Sequence, residues 1–323
     1  MNLVKTYEHL KNDLNEIEKQ LKQTIQADNP ILTEASTQLL EAGGKRIRPA
    51  FVLLASQLGQ YDLEQIKTVA VSLELIHMAT LVHDDVVDQS ELRRGEPTIM
   101  KLYGNRIAMY TGDYILARAL EEITKIKNPH IHKLLSKTLV EVCVGEIEQI
   151  RFKYDWNQNL RDYLRRIKRK TALLIASSCK LGALAGGLTL KQAHYLYQYG
   201  YNIGMSFQII DDVLDITSTP ETLGKPTGND LIQGHVTLPV LYAMESEQFT
   251  TKLHDTFSGD LSFAENKMED LLSLLRQTDA IERSYDLSNR YIQRALDILG
   301  NFPKGEAKNS LTQIAHFIQN RRK

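Results

Sequence analysis

Apolar residues recur along this chain at intervals of three and four positions, which is the spacing of one helix face and not the alternation of a strand. Eight prolines and eighteen glycines in 323 residues leave few helix-breaking positions, and most of them fall between the apolar segments. The pattern predicts helices over residues 31–40, 49–58, 63–87, 105–126, 132–152, 160–184, 190–216 and 238–244. We therefore expect a single all-α domain over residues 1–323, a large bundle of long helices around a common core.

Composition narrows the range of partners. Charged residues make up 24 % of the chain and the formal net charge is -1, so no overall field attracts nucleic acid or an anionic membrane. Two cysteines, Cys143 and Cys179, are too few for a disulfide framework and suit a reducing compartment. The charged N-terminal stretch lacks the apolar core of a signal peptide. We expect a cytoplasmic protein that has no transmembrane segment and binds no nucleic acid.

Three carboxylates follow the strongly apolar stretch 69–82. Asp84 and Asp88 are four positions apart and share a helix face, whereas Asp85 points about 100° away from Asp84. These like charges repel one another, and they lie toward the C-terminal end of a helix, where the macrodipole favours cations. A divalent cation such as Mg²⁺ would offset both effects. For this motif alone, a solvated helix end with a carboxylate cluster is an equal alternative.

The same DDxxD pattern occurs a second time, as Asp211, Asp212 and Asp215, after another apolar segment. Two core helices could bring these motifs together, and six facing carboxylates would then require metal ions and protein cations. Such cations lie in short basic segments: Lys45, Arg46 and Arg48 in GGKRIRP, Arg93 and Arg94 in ELRRG, Lys170 beside Thr171, and Lys225 in LGKP. Because arginine forks and lysine charges suit phosphate oxygens, the predicted ligands are two diphosphates.

The chain resembles the trans-isoprenyl diphosphate synthases over about residues 43–239, in the ordered set GGKRIRP, DDxxD followed by ELRRG, KT, FQIIDDxxD and GKP…D. Within that family the chain looks most like the heptaprenyl type, with the solanesyl and octaprenyl types close behind. The resemblance implies an all-α bundle of the isoprenoid synthase type with a central active-site cavity.

The resemblance also implies a prenyltransferase that joins an allylic diphosphate, farnesyl diphosphate for a long-chain enzyme, to successive isopentenyl diphosphates. The implied product is heptaprenyl diphosphate for menaquinone side chains, and hexaprenyl, octaprenyl and solanesyl products stay open. Three Mg²⁺ ions would be held by Asp84, Asp88 and Asp211, with Asp85, Asp212 and Asp215 in support or ligation.

Roles for the other motif residues follow from the same resemblance. Arg93, Lys170 and Lys225 would hold the allylic diphosphate, and Gln208 and Thr171 would stabilise the allylic cation. The residues implied for isopentenyl diphosphate are Lys45, Arg46, Arg48, His77 and Arg94. From the residues alone, a histidine on an apolar helix face, such as His77, is more often a hydrogen-bonded core residue than a ligand. A buried amide that satisfies backbone groups is the alternative for Gln208.

Product length is predicted from the helix that leads to Asp84. One isoprene unit is about as long as one helical turn of 5.4 Å, so each turn before Asp84 corresponds to about one unit. Ala79 and Thr80 are small where short-chain relatives often carry aromatic rings, and Ile76 lies one turn deeper. We expect an open apolar tunnel and a product of about C30 or more.

The resemblance implies a dimer, and for the heptaprenyl type a heterodimer with a small, dissimilar component 1 subunit. The lipid product would bring the protein to the membrane only peripherally, during release. Two other functions stay open from the residues: a metal-dependent phosphohydrolase that uses the His83-Asp84 pair, and a non-catalytic partner subunit. Both leave the second DDxxD unexplained.

Overall fold

Helices make up nearly all of the chain that the computed structural model describes, namely residues 8–218, 227–258 and 264–321. The all-α prediction is therefore confirmed. The chain forms two compact units, and the single-domain expectation stays a prediction. The first unit comprises the described parts of Met1–Ser136, Ser177–Tyr197 and Asn301–Gln313, and the second those of Lys137–Ala176, Gln198–Gly300 and Ile314–Lys323.

The first described element is a 3₁₀ turn, Glu8–Leu10. The helices that follow it are α1 Lys11–Thr24, α2 Pro30–Glu41, α3 Ile47–Ser56, α4 Leu63–Val87 and α5 Ile99–Ile123. A two-stranded hairpin, β1 Leu92–Arg93 and β2 Glu96–Pro97, separates α4 from α5. The long helices α4 and α5 pack against each other, and α1 and α3 pack against α4.

The remaining helices complete both units. They are α6 Pro129–Arg151, α7 Leu160–Ile167, α8 Leu173–Ala185, α9 Leu190–Thr217, α10 Asn229–Ile232, α11 Leu238–Ala243, α12 Glu247–Phe257, α13 Ala264–Arg276, α14 Ala280–Leu299 and α15 Glu306–Gln319. Within the second unit, α11 packs on α14 and α12 packs on α13. The apolar core of that unit is built from these helices together with the end of α9.

Helix α4 is the central element of the first unit. The Asp62 side chain accepts a hydrogen bond from the backbone N–H of Glu64 at 3.1 Å, which caps the first turn. No glycine or proline interrupts the helix, and its predicted bounds agree with the structure. Within the described ranges, α4 is the one helix long and apolar enough to cross a membrane, but 72 % of its most apolar window is buried in the protein. Such burial is typical of a core helix.

Two predicted helices differ most from the structure, whereas the bounds of the others agree within about three residues. Helix α5 begins six residues earlier than position 105, because Thr98 caps it and the helix continues through a kink at Gly104, whose φ is 80°. The predicted helix 160–184 is divided by a π-helical turn, Lys168–Ala172, which separates α7 from α8. Such turns occur frequently at functional sites.

Several helices fall outside the eight predicted segments, and α14 shows the reason. Its buried face includes Ser284 and Ser288 as well as apolar residues. The Ser288 hydroxyl lies 2.7 Å from that of Ser206 on α9, so a buried polar pair satisfies itself. A search for apolar periodicity misses a core face that contains hydroxyls.

Close packing of α8 on α3 in the first unit depends on Gly182. A Cβ at this position would lie 2.3 Å from the Val52 carbonyl oxygen and 2.8 Å from the Val52 Cα. We expect Gly182→Ala to lower the free energy of unfolding by about 1–3 kcal/mol, because the backbone of α3 must move to admit the methyl group. Denaturant unfolding measures this change.

Gly305→Ala is the matched control, because a Cβ there would meet nothing within 4 Å. We expect it to change the free energy of unfolding by less than about 1 kcal/mol. Equal effects of the two substitutions would contradict the proposed contact between α8 and α3.

Candidate active site

The first aspartate motif ends helix α4. Asp84 and Asp88 are half-buried, and Asp85 is buried. The backbone N–H of Asp88 donates to the Asp84 carbonyl at 2.8 Å, so the two residues are one turn apart although the helix ends at Val87. No basic residue lies in the last turn. The repulsion and the unfavourable helix dipole that the sequence predicts are therefore present at this helix end.

Asp85 points to a different partner, as its 100° offset predicts. The Arg93 Nε donates to both Asp85 oxygens at 2.9 and 3.0 Å, and Nη2 donates to Oδ1 at 2.6 Å. Burial raises the pKa of the Asp85 carboxyl, while the hydrogen bonds from Arg93 lower it. Asp85 thus holds the guanidinium that was predicted to bind the allylic diphosphate.

Arg94 is presented by the hairpin between β1 and β2. Helix α4 ends at Val87, and Leu92–Arg93 pairs with Glu96–Pro97 as two antiparallel strands. The two central residues, Arg94 and Gly95, have φ values of 57° and 86°. Positive φ at both positions matches the right-handed twist of a tight hairpin. The hairpin explains why two consecutive arginines can serve different partners.

The GGKRIRP segment meets the hairpin at Gly44. A Cβ on Gly44 would lie 2.8 Å from the Arg94 Nη1, and its φ is 156°. Arg46 occupies the left-handed region with φ 44° and ψ 40°, immediately before helix α3 begins. Non-glycine residues in this region are strained and are frequently found at functional sites. The segment therefore brings its basic residues close to Arg94.

A cationic cluster surrounds His77 on α4. Burial and the charges of Arg48, Arg94, Arg93 and Arg46 hold the pKa of His77 well below its usual value, so the imidazole is neutral. Burial lowers the pKa of Arg48 to about 10, and burial and the Arg46 charge lower the pKa of Arg94. An anion bound here would relieve both effects.

The structure distinguishes Arg48 from Arg46. The Nε of Arg48 is buried and has no hydrogen-bond partner among the described residues. Arg46, in contrast, donates to Glu18 at 2.7 and 2.9 Å, to the Leu40 carbonyl at 3.1 Å and to Glu74 at 3.3 Å. The Arg46 guanidinium therefore connects helices α1, α2 and α4. Lys45 is exposed at the surface.

In the second motif, on α9, Asp212 is buried and hydrogen-bonded. It accepts from the Tyr163 hydroxyl at 2.8 Å and from the Gln208 amide at 2.8 Å. Burial and the Asp230 charge raise the pKa of Asp212 to about 7, against the opposing effect of these donors and of Arg166. Asp212 thus corresponds to Asp85: in each motif the second aspartate is directed to protein partners.

The other two aspartates of α9 have different surroundings. The Asp211 carboxylate pairs with Arg321, whose guanidinium also lies over the Phe207 ring. Asp215 is buried and accepts a hydrogen bond from the backbone N–H of Asp230 at 3.1 Å. Asp215 therefore fixes the start of the short helix α10 as well as being a predicted metal ligand.

Lys170 and Thr171 lie in the π-helical turn of the second unit. A Cβ on Gly204 would lie 2.5 Å from the Ala172 Cα, so only glycine lets α9 approach this turn so closely. Four residues further along α9, Gln208 accepts a hydrogen bond from the Thr171 hydroxyl at 2.7 Å. Lys170 is half-exposed and lies 3.8 Å from Glu146.

The remaining predicted residues divide into two groups. Ala79 and Ile76 are buried on α4, and the Thr80 hydroxyl donates to the His77 carbonyl at 2.8 Å. Their effect on product length stays a prediction. Lys225 lies outside the described residues.

The carboxylates suit a divalent cation in their chemistry. Within the described ranges, no three or more His, Cys, Asp or Glu side chains gather into a group that could hold a metal ion by themselves. Mg²⁺ does not need such a group, because it keeps several waters and takes one or two carboxylates together with substrate phosphates. Asp84 and Asp88 fit this requirement in the first unit, and Asp211 with Asp215 in the second. The predicted arrangement of the two motifs across one cavity stays a prediction.

Sequence reasoning missed three residues of these sites. They are Glu74 and Tyr163, which are buried beside predicted ligands, and Arg321, which contacts the second motif. The available signal was a single charged residue, Glu74, inside the apolar stretch before Asp84. No comparable local signal marks the other two.

Comparison with known proteins agrees with the geometry. Residues 29–275 match the polyprenyl synthetase family. The chain is 55 % identical to heptaprenyl diphosphate synthase component 2 of Bacillus subtilis over 316 residues. This match covers 98 % of the present chain and 90 % of that protein.

Two crystal structures are also similar. Heptaprenyl diphosphate synthase from Staphylococcus aureus has a TM-score of 0.92 at 40 % identity, and the match covers 100 % of this chain and 99 % of that one. Polyprenyl synthase from Caulobacter crescentus, complexed with calcium and isoprenyl diphosphate, has a TM-score of 0.93 at 29 % identity, covering 100 % and 98 %.

The helical fold, the two DDxxD motifs and the arginine cluster define an enzyme of the isoprenyl diphosphate synthase class. More particularly, the chain belongs to the polyprenyl synthetase family. As a member of that family it is a prenyltransferase, which confirms the family and the type of enzyme predicted from the sequence.

The neutral state of His77 gives a pH prediction. Because burial and the surrounding arginines lower its pKa, we expect the His77 ring to stay uncharged at about pH 6.5, where an ordinary histidine takes up a proton. The unfolded chain does take up this proton, so the His77 contribution to stability is lost as the pH falls below about 6.5.

Proton NMR of the imidazole ring measures the protonation of His77 as the pH is lowered, and the His77→Gln variant assigns the resonance. Inorganic diphosphate should raise the pKa of His77, because the anion offsets the arginine charges. A His77 resonance that titrates near pH 6.5 without any anion would contradict this description of the cluster.

Proposed function

We propose that this chain is the catalytic subunit of a long-chain trans-polyprenyl diphosphate synthase. It would extend farnesyl diphosphate with isopentenyl diphosphate to heptaprenyl diphosphate, a precursor of menaquinone side chains. The observation that carries the proposal is the composition of α4. This helix contributes His77 to a cluster of arginines and, about two turns later, the carboxylates of the first motif. One helix thus serves both a direct diphosphate site and a metal-bridged one.

The direct site suits isopentenyl diphosphate. Burial and the charge of the exposed Arg94 beside it lower the pKa of Arg48, and neutral His77 adds a hydrogen-bond donor. Exposed Lys45 would complete the site at its surface side. Arg46, which was also predicted to bind this substrate, would act chiefly by connecting α1, α2 and α4, because Glu18, Leu40 and Glu74 occupy its donors.

The aspartates would hold the allylic diphosphate through divalent cations. Asp84, Asp88, Asp211 and Asp215 are the proposed ligands, Mg²⁺ is the proposed ion, and three ions per site are proposed. The calcium and isoprenyl diphosphate bound in the Caulobacter crescentus enzyme support a divalent cation. When bound, the ions offset the negative charge that develops on the departing diphosphate.

The chain's own groups would then stabilise both products of ionisation. Arg93, held by Asp85, is the ligand proposed for the departing diphosphate in the first unit, and Lys170 is the one proposed in the second. Lys225, which was predicted for the same role, lies outside the described residues. Gln208 and Thr171 would direct oxygen atoms to the allylic cation, in the kind of preorganised polar site that supplies a large catalytic term. After isopentenyl diphosphate attacks the cation through its double bond, the condensed cation loses a proton to the departing diphosphate.

The other functions left open by the sequence find no support. His83 lies 3.1 Å from Asp113 on α5, so its ring is directed to that carboxylate and not to a cluster of further histidines. A non-catalytic subunit would not need the paired aspartates, the arginine cluster and the Gln208–Thr171 contact together. A product of another length, made by a homodimer, is the remaining alternative.

A dissimilar partner chain is part of this proposal. The Bacillus subtilis relative is named component 2, which supports a second component for this chain as well. The outward face of α6 suits such a partner, because Val140, Cys143, Val144, Ile147 and Ile150 are exposed at successive turns. Ile147 is 67 % exposed and Val140 63 %, although such apolar side chains are ordinarily covered. We propose that a small component 1 subunit covers this face of α6. We also propose that the protein is cytoplasmic and contacts the membrane only when the product is released.

The activity test uses the purified chain with Mg²⁺, farnesyl diphosphate and labelled isopentenyl diphosphate, and sizes the products by chromatography. We expect a ladder ending at about C35 when a candidate small component is added, and little product from the chain alone. Full activity of the chain alone, as a homodimer by light scattering, would instead assign the α6 face to a second copy. No product in either arm, with EDTA as the blank, would contradict the proposed function.

Product length is tested at Ala79. We expect Ala79→Phe to shorten the product to about C15–C20, because an aromatic ring about one turn before Asp84 would close the tunnel. Ala79→Leu should give an intermediate length, and thermal unfolding checks that both variants fold. An unchanged product distribution in a folded Ala79→Phe enzyme would place the length-determining wall on another helix.

A further inference from the structure

A directed chain of hydrogen bonds links four side chains of the second unit. The Tyr163 hydroxyl donates to Asp212 Oδ2 at 2.8 Å, and the Gln208 amide nitrogen donates to Asp212 Oδ1 at 2.8 Å. The Thr171 hydroxyl donates to the Gln208 amide oxygen at 2.7 Å. All the bonds therefore run in one sense, toward the Asp212 carboxylate.

This direction decides which atoms Gln208 and Thr171 can offer to a ligand. Both oxygens of the Asp212 carboxylate accept, one from Tyr163 and one from Gln208, so Asp212 fixes the amide nitrogen of Gln208 and turns the amide oxygen toward Thr171. The Thr171 hydrogen is committed to that oxygen, and lone pairs of the Thr171 hydroxyl and of the Gln208 oxygen remain. Oxygen lone pairs attract a cation. If the hydrogen bonds ran in the opposite direction, the same two side chains would present hydrogen atoms and would repel the cation.

Tyr163 is placed to maintain this direction. Its side chain is 0 % exposed and packs with Ile167, Met205 and Ile209 in the core of the second unit. The Arg166 guanidinium lies 5.7 Å from the Tyr163 ring centroid, which fixes the ring further.

We propose that Tyr163 is a positioning residue: by donating to Asp212 it sets the hydrogen-bond direction that makes Gln208 and Thr171 present oxygen atoms to the allylic cation. The inference rests on the proposed function, since it needs a cation to be formed beside these residues. It differs from a purely structural role of Tyr163, in which the hydroxyl satisfies a buried carboxylate and affects stability alone.

The test is Tyr163→Phe, which removes one hydroxyl and keeps the ring. The matched control is Tyr291→Phe, because Tyr291 lies in the same core cluster and its hydroxyl is hydrogen-bonded with Tyr201, not with the aspartates. Each variant is compared with the wild type in kcat and in KM for farnesyl diphosphate. Each is also titrated with two diphosphate analogues of similar shape, one with an ammonium group at the cationic carbon and one neutral there.

We expect Tyr163→Phe to lower kcat about ten-fold and to reduce the preference for the ammonium analogue by a similar factor, with KM and neutral-analogue binding within about two-fold of wild type. Tyr291→Phe should leave all these quantities near wild type. Equal weakening of both analogues, or an unchanged preference in a folded Tyr163→Phe protein, would overturn the proposal.

Asp212→Asn keeps the test decisive if Tyr163→Phe does not fold. An asparagine at this position can turn its amide hydrogens to the Gln208 oxygen, so the same loss of preference is expected. Retention of the wild-type preference in Asp212→Asn would also overturn the proposal. A failure of the proposed function looks different: the wild-type protein with Mg²⁺ would then bind neither diphosphate analogue.

Discussion

Repulsion between like charges, buried close together, is the constraint on which both sites depend. In the first unit, four arginines surround one histidine, and the histidine responds by losing its proton. In the second unit, Asp212 is buried near the Asp230 charge, and its pKa rises to about 7. Neither arrangement would be retained for stability, because isolated buried charges are costly. Each cluster of like charges is stable only because a few neighbouring side chains carry the opposite charge or form hydrogen bonds with it.

The charged residues of these sites fall into two classes: those that a neighbouring side chain engages, and those with polar atoms that no described neighbour engages. Asp85 and Asp212 are engaged by Arg93 and by Tyr163, and so orient other groups. Arg46 is engaged by Glu18 and Glu74 in the same way. Residues such as Arg48 keep buried donors that no described neighbour satisfies. A site for a highly charged ligand needs both classes of residue. The side chains that bind the ligand repel one another, and the side chains engaged within the protein hold them in place.

Much of the fold follows from apolar periodicity, and α4 shows why. Its length, its Asp62 cap and its unbroken apolar composition are all local properties, so its bounds follow from the sequence. The π-helical turn at Lys168–Ala172 does not follow from the sequence, because nothing in the letters KRKTA distinguishes a π-helical turn from an α-helical one. The end of that turn lies against Gly204 of α9, where a Cβ would not fit beside Ala172, and such a tertiary contact is not encoded in the local letters.

The candidate site shows the same division. The charge pattern identifies GGKRIRP as an anion-binding segment, but Arg46 and Arg48 are chemically identical there. Glu18 decides between them, and it lies 28 residues away in sequence. The role of Tyr163 is equally hidden, since one tyrosine in a basic helix carries no local signal for a buried contact to α9.

The neutral imidazole of His77 has an evolutionary consequence. A group that works without charge, as one donor and one acceptor, can be exchanged for a side-chain amide of similar reach, because glutamine offers the same two functions. It cannot be exchanged for lysine or arginine, which would add a fifth positive charge to a cluster that already expels a proton. Related sequences at this position should therefore vary among uncharged polar residues, and the imidazole marks a requirement for hydrogen bonding and not for acid–base chemistry.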